Sequence, residues 1–185
     1  MNTHNIELGE IVLRPATPAD APALLEWRNR EDFRDYCTMR KEAVDLEEFL
    51  REMACDFSRD RHRQYVIYRG ATPVGTVFSY SFNRTDGHVF ASIYIAAEHR
   101  HSAAGAKAFA MFLRQLFHEF DLYKIYVDVY AHNGFALKCL RHARFVEEGR
   151  FRGHRLVEGK RVDVIRLAFF RDLLLELDKW LARVG

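Results

Sequence analysis

The stretch that decides the fold runs from residue 88 to residue 117, with the sequence HVFASIYIAAEHRHSAAGAKAFAMFLRQLF. Its first eight residues alternate between two faces, one of them formed by Val89, Ala91, Ile93 and Ile95, which predicts a β-strand over residues 88 to 95. Apolar residues then recur at helical spacing, at positions 109, 112, 113, 116, 117 and 120. They predict an amphipathic helix of about 17 residues that begins near Ala103.

Strand and helix patterns continue on both sides of this stretch. Upstream, the sequence predicts a strand at 11 to 14, a helix after Pro18, a second helix from Asp45 to about Phe57, and a hairpin of strands at 64 to 68 and 74 to 82. Downstream, it predicts a strand at 125 to 130, a helix at 134 to 142, strands at 144 to 148 and 161 to 170 joined by a loop at 153 to 160, and a closing leucine-rich helix.

The resulting order is β-α-α-β-β-β-α-β-α-β-β-α. It predicts a mixed α/β fold, with a central twisted sheet of about seven strands flanked by helices. The strand, helix and strand that begin at residue 88 predict a parallel pair with a crossover connection. No linker or internal repeat divides the chain, so we expect one domain over residues 1 to 185.

Composition limits the classes of function. Lys and Arg total 28 and Asp and Glu total 26, so the net charge of +2 argues against a nucleic-acid-binding protein. No apolar run approaches the roughly 20 residues that span a membrane, and the N-terminus has no signal-peptide pattern. The three cysteines, Cys37, Cys55 and Cys139, are widely spaced, which favours a reducing compartment. We therefore expect a cytoplasmic protein with neither a membrane nor a nucleic acid as partner.

The junction between the predicted strand and the long helix is the strongest candidate for a binding site. Small residues lie at the start of the helix, where unpaired backbone N–H groups and the helix dipole favour an anion such as a phosphate or diphosphate. Arg100 and His101 would add side-chain donors. A small-residue turn before a helix is also common as simple packing, so this feature alone leaves both interpretations open.

The motif at this junction resembles that of a known family. RHSAAG at residues 100 to 105 is similar to the cofactor motif Q/R-x-x-G-x-G/A of the GNAT superfamily of acetyl-CoA-dependent N-acetyltransferases, with Ala103 in place of the usual glycine. The similarity continues downstream through Asn133 and Ala136, through Arg144-Phe145 where the family carries Gly-Phe, and through EGR at 148 to 150 and GKRVD at 159 to 163. That ending is similar to the branch with ribosomal-protein N-terminal and amino-sugar-nucleotide acetyltransferases.

The resemblance implies transfer of an acetyl group from acetyl-CoA to a primary amine of a small molecule, by direct attack in a ternary complex. A nucleotide-linked amino sugar is the leading acceptor. The alternatives are a protein N-terminal or antibiotic-type amine, or a catalytically silent acyl-CoA-binding module, since Ala103 and Leu140 depart from the family pattern. A monomer or a homodimer is expected.

The resemblance also assigns roles to residues of this chain. Strand backbone near Ile93 and Ile95 and the start of the helix would bind the cofactor. The predicted cofactor-binding set is Ile93, Ile95, Arg100, His101, Ser102, Ala103, Ala104, Gly105, Ala106, Asn133 and Lys138. The predicted catalytic set is Asn133, Tyr94, Ser92 and Asp128. The predicted substrate-binding set is Trp27, Arg28, Asn29 and Tyr80, beside acceptor loops at 28 to 45 and 82 to 88.

The general acid and base stay open among several groups. Many relatives carry a tyrosine seven residues after the asparagine as the general acid, where this chain has Leu140. Solvent, a water held by Asn133, Tyr94 or another polar side chain would then protonate the thiolate. Base candidates are Ser92, Asp128 and His132, followed by His88 and Glu98. His99 and His101 lack a third ligand at useful spacing, so no metal is expected.

Overall fold

The computed structural model describes residues 4 to 38, 42 to 58, 62 to 100 and 102 to 185. Within these residues the chain forms eight strands and six helices. The strands are β1 (Ile6–Leu8), β2 (Ile11–Pro15), β3 (Gln64–Arg69), β4 (Thr72–Asn83), β5 (His88–Ile95), β6 (Lys124–Tyr130), β7 (Val146–Val157) and β8 (Lys160–Phe170). The helices are α1 (Ala21–Asn29), α2 (Glu31–Tyr36), α3 (Leu46–Phe57), α4 (Ala104–Glu119), α5 (Gly134–His142) and α6 (Leu174–Val184).

All eight strands form one sheet in the order β1-β2-β3-β4-β5-β6-β8-β7. Neighbouring strands are antiparallel except β5 and β6, which are parallel and are connected by α4. The mixed α/β fold and the parallel pair with its crossover helix are therefore confirmed. β5 and α5 begin and end at the residues that the sequence predicted.

Each face of the sheet packs against its own set of helices. On one face, Phe112 and Leu116 of α4 pack with Ile67 of β3 and Ile125 of β6, all of them 0% exposed. On the other face, Val66, next to Ile67 in sequence, packs with residues of α1, α2 and α3. Successive residues of a strand point to opposite faces, so the apolar run in β3 supplies both cores.

The structure differs from the predicted order in three elements. β1 and α2 were not predicted, because a strand of three residues and a helix of six are too short to show a period. β7 continues to Val157, through the predicted loop, and turns at Glu158 and Gly159, both with positive φ (48° and 74°) as a tight hairpin requires. The sheet therefore has eight strands where about seven were expected.

No helix in the described part of the chain is both long and apolar enough to cross a membrane.

Candidate active site

The two parallel strands separate partway along their length. β5 and β6 pair through His88, Val89 and Phe90, opposite Lys124, Ile125 and Tyr126. Beyond this point, residues 91 to 95 of β5 pair only with β4, and residues 127 to 130 of β6 pair only with β8. The inner edges of the two strands therefore face an opening. Strand edges bind extended ligands through backbone hydrogen bonds, and a pantetheine chain has the shape and the amides to fit this opening.

The N-terminus of α4 lies beside the end of β5. No side chain caps this end of α4 in the described residues, and its first turn carries no acidic residue. Gly105 packs closely on β5, since a Cβ at this position would lie 3.2 Å from Cγ1 of Ile95. Helix N–H groups, the positive end of the dipole and small side chains together fit a diphosphate at this point.

The side chains of the predicted cofactor motif are partly engaged with the protein itself. Arg100 donates from Nε to the backbone oxygen of Ile95 at 2.9 Å and forms an ion pair with Asp32. Ser102 donates to the backbone oxygen of His99 at 3.2 Å. His101 lies outside the described residues. Backbone groups are therefore better placed than Arg100 or Ser102 side chains to hold an anion.

The two predicted cofactor residues after β6 belong to α5. Asn133 is the N-cap of this helix, and its Oδ1 accepts a hydrogen bond from the backbone N–H of Ala136 at 3.1 Å. Lys138 is exposed on the same helix. Capping uses the amide oxygen of Asn133 and fixes the orientation of the amide. The amide nitrogen would therefore have to make the contact with the cofactor, and this role stays a prediction.

Three predicted residues share one face of the sheet beside the opening. Tyr80 is opposite Phe90 in the register, and Ser92 lies two residues beyond Phe90 on β5. Asp128 lies two residues beyond Tyr126, which is opposite Phe90 on β6. Because the side-chain period of a strand is two, these side chains project to the same side. The structure therefore brings Tyr80, Ser92 and Asp128 to one surface.

The Asp128 carboxylate is engaged by an arginine on that surface. Arg166 of β8 donates from Nε and Nη2 to the two carboxylate oxygens, each at 2.8 Å. The guanidinium carbon also lies 4.6 Å from the centre of the Phe90 ring. This bidentate ion pair engages both oxygens of the Asp128 carboxylate and fixes its orientation, so a role of Asp128 as the general base stays a prediction.

Tyr94 projects to the same face as Ser92 but is buried under α1 and α2. Its ring, 3% exposed, lies 5.0 Å from that of Phe33 and 6.4 Å from that of Trp27. Its hydroxyl donates to the Asp32 carboxylate at 3.2 Å. Burial, and then the negative charge of Asp32, raise the pKa of Tyr94 to about 12. The phenol is therefore protonated at neutral pH, but its proton is directed to Asp32.

The other predicted substrate residues lie at the end of α1. Trp27 and Arg28 are buried. The Asn29 amide forms two bonds with Val44 backbone, donating to its oxygen at 2.8 Å and accepting from its N–H at 3.0 Å. These contacts hold the helices of this face together, and a direct role in binding the acceptor stays a prediction.

The remaining base candidates differ in their positions. The Arg30 guanidinium, within 2.9 Å of Glu98, holds the pKa of that carboxyl at about 2. His88 is in the closed part of the strand pair, five residues or about 16 Å along β5 from Ile93. His132 follows the end of β6, where its ring lies 5.6 Å from Tyr130 and 6.0 Å from Tyr36. Of these three candidates for the general base, the position past the end of β6 favours His132.

A cavity of about 440 Å³ lies between α2, the turn after β5 and the turn that joins β7 to β8. Its lining consists of Arg30, Glu31, Asp32, Asp35, Tyr36, Ala97 and Glu158. The carboxylates of Glu31, Asp35 and Glu158 offer oxygens that all lie within 4.8 Å of one another. We refer to these three residues as the acidic group.

Sequence reasoning missed the acidic group, although it placed the acceptor loop at 28 to 45. Glu31 and Asp35 are four residues apart, a spacing that puts both on one helix face, but α2 itself was not predicted. Glu158 joins them only because β7 extends to the hairpin turn. The other predicted acceptor loop, at 82 to 88, lies at the opposite end of β5 from the opening.

Comparison with known proteins agrees with this geometry. Residues 10 to 146 match the model of the acetyltransferase (GNAT) domain. No curated protein matches the sequence. Among solved structures, spermidine N-acetyltransferase from Vibrio cholerae, in complex with CoA and spermine, is similar with a TM-score of 0.85 and 21% identity, over 90% of this chain and 98% of that chain.

A second solved structure is RimL, a ribosomal L7/L12 alpha-N-protein acetyltransferase in complex with CoA. It has a TM-score of 0.82 and 14% identity, over 91% of this chain and 99% of that chain. Both structures share the fold, and the family model covers most of the chain, including β5, α4 and β6. The chain belongs to the GNAT acetyltransferase family, and it is an N-acetyltransferase that uses acetyl-CoA.

Proposed function

We propose that the protein acetylates a primary amine on a small molecule that carries positive charge. The observation that carries this proposal is the acidic group beside the opening between β5 and β6. Three carboxylates so close together favour a cationic ligand and disfavour an anionic one. The solved structure of the Vibrio cholerae enzyme, which acts on spermidine, supports the same class of acceptor.

Backbone groups perform the two tasks that do not depend on the acceptor. The inner edge of β5 over residues 91 to 95 would bind the pantetheine chain and donate N–H groups to the developing oxyanion. Acetyl-CoA supplies the thioester carbonyl that the amine attacks. Ala103 takes a φ of −67°, a helical value that any residue adopts, so the departure from glycine costs nothing in backbone strain.

His132 is our proposed general base. It lies past the end of β6, in contact with the rings of Tyr36 and Tyr130, and is exposed to solvent that could relay a proton. An imidazole can accept a proton from an alkylammonium and release it to water. Acetyl-CoA would supply the thioester: attack by the neutral amine would expel the thiolate, and the second proton lost by the amine nitrogen would reach the thiolate through water, because Leu140 replaces the usual tyrosine.

Aromatic rings add to the attraction for a cation. Tyr36 is 48% exposed, lines the cavity with the acidic group, and lies 5.6 Å from the Tyr130 ring. Ring faces attract ammonium groups, and this attraction strengthens where water is partly excluded. A diamine or polyamine could place one ammonium against these groups while its other nitrogen reaches the thioester.

A nucleotide-linked amino sugar is the second candidate, and a different surface favours it. Tyr80 and Phe90 stack with their ring centres 5.4 Å apart, and Tyr126 lies 5.2 Å from Phe90. Arg166 lies over the Phe90 and Tyr126 rings. Aromatic rings with an arginine can hold a base and a phosphate. The phosphates of such a substrate would also have to avoid the acidic group.

The whole chain is proposed to act as one acyltransferase unit in the cytoplasm, as a monomer or a homodimer. β7 and β8, which follow the matched segment, belong to the same sheet as the rest of the site. Cys37, Cys55 and Cys139 form no disulfide with one another in the described residues, which suits a reducing compartment.

The test measures thiol release from acetyl-CoA by the full chain with four classes of amine: a polyamine, an aminoglycoside, a nucleotide-linked amino sugar and a peptide with a free N-terminus. We expect saturable turnover with the cationic small molecules. The double variant Glu31→Gln/Glu158→Gln should raise their KM about three- to tenfold, because two charges are removed at a partly exposed site. The KM for acetyl-CoA should not change.

The matched control is Glu47→Gln, which removes an exposed carboxylate from α3. It should leave both KM values unchanged. Turnover of the amino sugar alone would reject the cationic acceptor and select the second candidate. CoA binding without turnover of any amine would instead favour a silent acyl-CoA-binding module.

A further inference from the structure

Two ion pairs, side by side, join the start of α2 to the turn that leads from β5 to α4. Arg30 contacts Glu98 at 2.9 Å, and Asp32 pairs with Arg100. Each pair spans 68 positions in the sequence, so the two segments run side by side in the same direction with their charges alternating. We call Arg30, Asp32, Glu98 and Arg100 the charge clasp. It fixes the register of α2 against this turn.

Within the clasp, the Asp32 carboxylate has a well-defined orientation. It accepts a hydrogen bond from the backbone N–H of Phe33 at 2.9 Å and one from the Tyr94 hydroxyl at 3.2 Å, in addition to its ion pair with Arg100. Tyr94 is itself held in the buried cluster under α1 and α2. Several donors from different directions restrict a carboxylate far more than one exposed ion pair does.

Arg100 connects this carboxylate to the strand that precedes the site. Its Nε donates to the backbone oxygen of Ile95 at 2.9 Å, while its terminal nitrogen pairs with Asp32. The guanidinium carbon lies 5.7 Å from the centre of the Tyr94 ring. Arg100 thus bridges the end of β5 and α2, four residues before α4 begins at Ala104.

We propose that Asp32 is a positioning residue for the cofactor. Through Arg100 it holds the turn of residues 96 to 100 against β5, and the turn orients the N–H groups at the start of α4 toward the diphosphate. Asp32 does not bind the diphosphate, because the two carry like charges. The inference concerns cofactor affinity and is independent of which amine is acetylated.

The opposite signs of two effects make this inference testable. If Asp32 acted only by electrostatic repulsion of the diphosphate, loss of its charge would strengthen CoA binding. If Asp32 positions the turn, its removal weakens CoA binding. We expect Asp32→Asn, which keeps the shape of the side chain, to raise the Kd for free CoA about tenfold in calorimetry of the full chain.

The loss should depend on the diphosphate. Acetyl-pantetheine carries the thioester without the diphosphate, so Asp32→Asn should lower kcat/KM for acetyl-CoA about tenfold more than it lowers kcat/KM for acetyl-pantetheine. A general loss of structure would lower kcat/KM equally for acetyl-CoA and acetyl-pantetheine, and this result would contradict the inference.

Arg100→Lys provides the second variant. Lysine keeps the positive charge but cannot contact the Ile95 oxygen and the Asp32 carboxylate at once as the guanidinium does. It should weaken CoA binding to a similar extent, and the double variant Asp32→Asn/Arg100→Lys should bind no more weakly than the weaker single variant. Glu47→Gln again controls for loss of a surface carboxylate. The inference is overturned if Asp32→Asn binds CoA as tightly as wild type or more tightly, if Arg100→Lys retains wild-type affinity, or if the two losses multiply.

Discussion

The two sides of the sheet are built in different ways. The side covered by α4 is formed by long elements with regular apolar spacing, and Phe112 and Leu116 at its centre are 0% exposed. The side that borders the cavity depends on α2, a helix of six residues, and on a hairpin turn, both of which carry carboxylates at the surface. This contrast teaches that the end of the site proposed for the cofactor is fixed by packing, whereas the end proposed for the acceptor is marked by charged groups at the surface.

The largest expected effect compares one aromatic residue from each side. Phe112→Ala should lower the free energy of unfolding by about 3–5 kcal/mol, because it leaves a cavity in the core. Tyr36→Ala should lower it by less than about 1 kcal/mol, because the ring is 48% exposed. Urea titration followed by circular dichroism measures both values.

Kinetic measurements test the same difference between the two sides of the sheet. Tyr36→Ala should raise the KM for a cationic amine several-fold while the KM for acetyl-CoA stays constant, since Tyr36 lines the cavity and α4 is untouched. Tyr36→Phe is the matched control, because it keeps the ring. Equal losses of stability in Phe112→Ala and Tyr36→Ala would show that the two sides are not built differently.

The side built by packing is also the side that could be predicted from the sequence. Alternation in residues 88 to 95 and helical spacing from Phe109 to Phe120 reflect burial directly, so β5 and α4 were predicted within one or two residues of their bounds. On the other side of the sheet, a local signal was predictable as well: Asp45 was correctly predicted to begin α3, where its side chain accepts from the Glu48 N–H at 2.8 Å. A helix N-cap of this kind can be predicted without knowledge of contacts that are distant in the sequence.

The acceptor side could not be predicted for a physical reason. Glu158 lies more than a hundred residues from Glu31 and Asp35, and only the three-dimensional register of β7 brings them together. The partners of the predicted site residues were equally hidden. Nothing in the sequence indicates that Asp128 would face Arg166, or that Arg100 would face Asp32.

Another prediction tests whether the helix dipole of α4 forms the end of the site proposed for the cofactor. Ala103→Asp places a carboxylate at the N-cap of α4, where it interacts favourably with the dipole, so the melting temperature should stay constant or rise slightly. The same charge repels the diphosphate and should weaken CoA binding about a hundredfold, or ~2.7 kcal/mol. Thermal denaturation and calorimetry give the two values.

Ala103→Asn is the matched control, because asparagine also caps helices but carries no charge. Its affinity for CoA should fall much less than that of Ala103→Asp. If the aspartate variant bound CoA normally, the diphosphate would not lie at this helix end, and the division of the site into a packed end and a charged end would fail.

The smallest expected effect concerns the charge clasp that joins the two sides. Arg30 holds the pKa of Glu98 at about 2, below its ordinary value of 4.5. Because the pKa is lower in the folded state, the ion pair stabilises the fold fully above pH 4.5, and this contribution is lost as the pH falls toward 2. The difference in urea midpoint between wild type and Glu98→Gln should therefore shrink steadily below pH 4.5, while Glu47→Gln serves as the control for a surface carboxylate. A difference that stayed constant down to pH 3 would mean that the ion pair does not form in solution, and the two sides would then be joined by Asp32 and Arg100 alone.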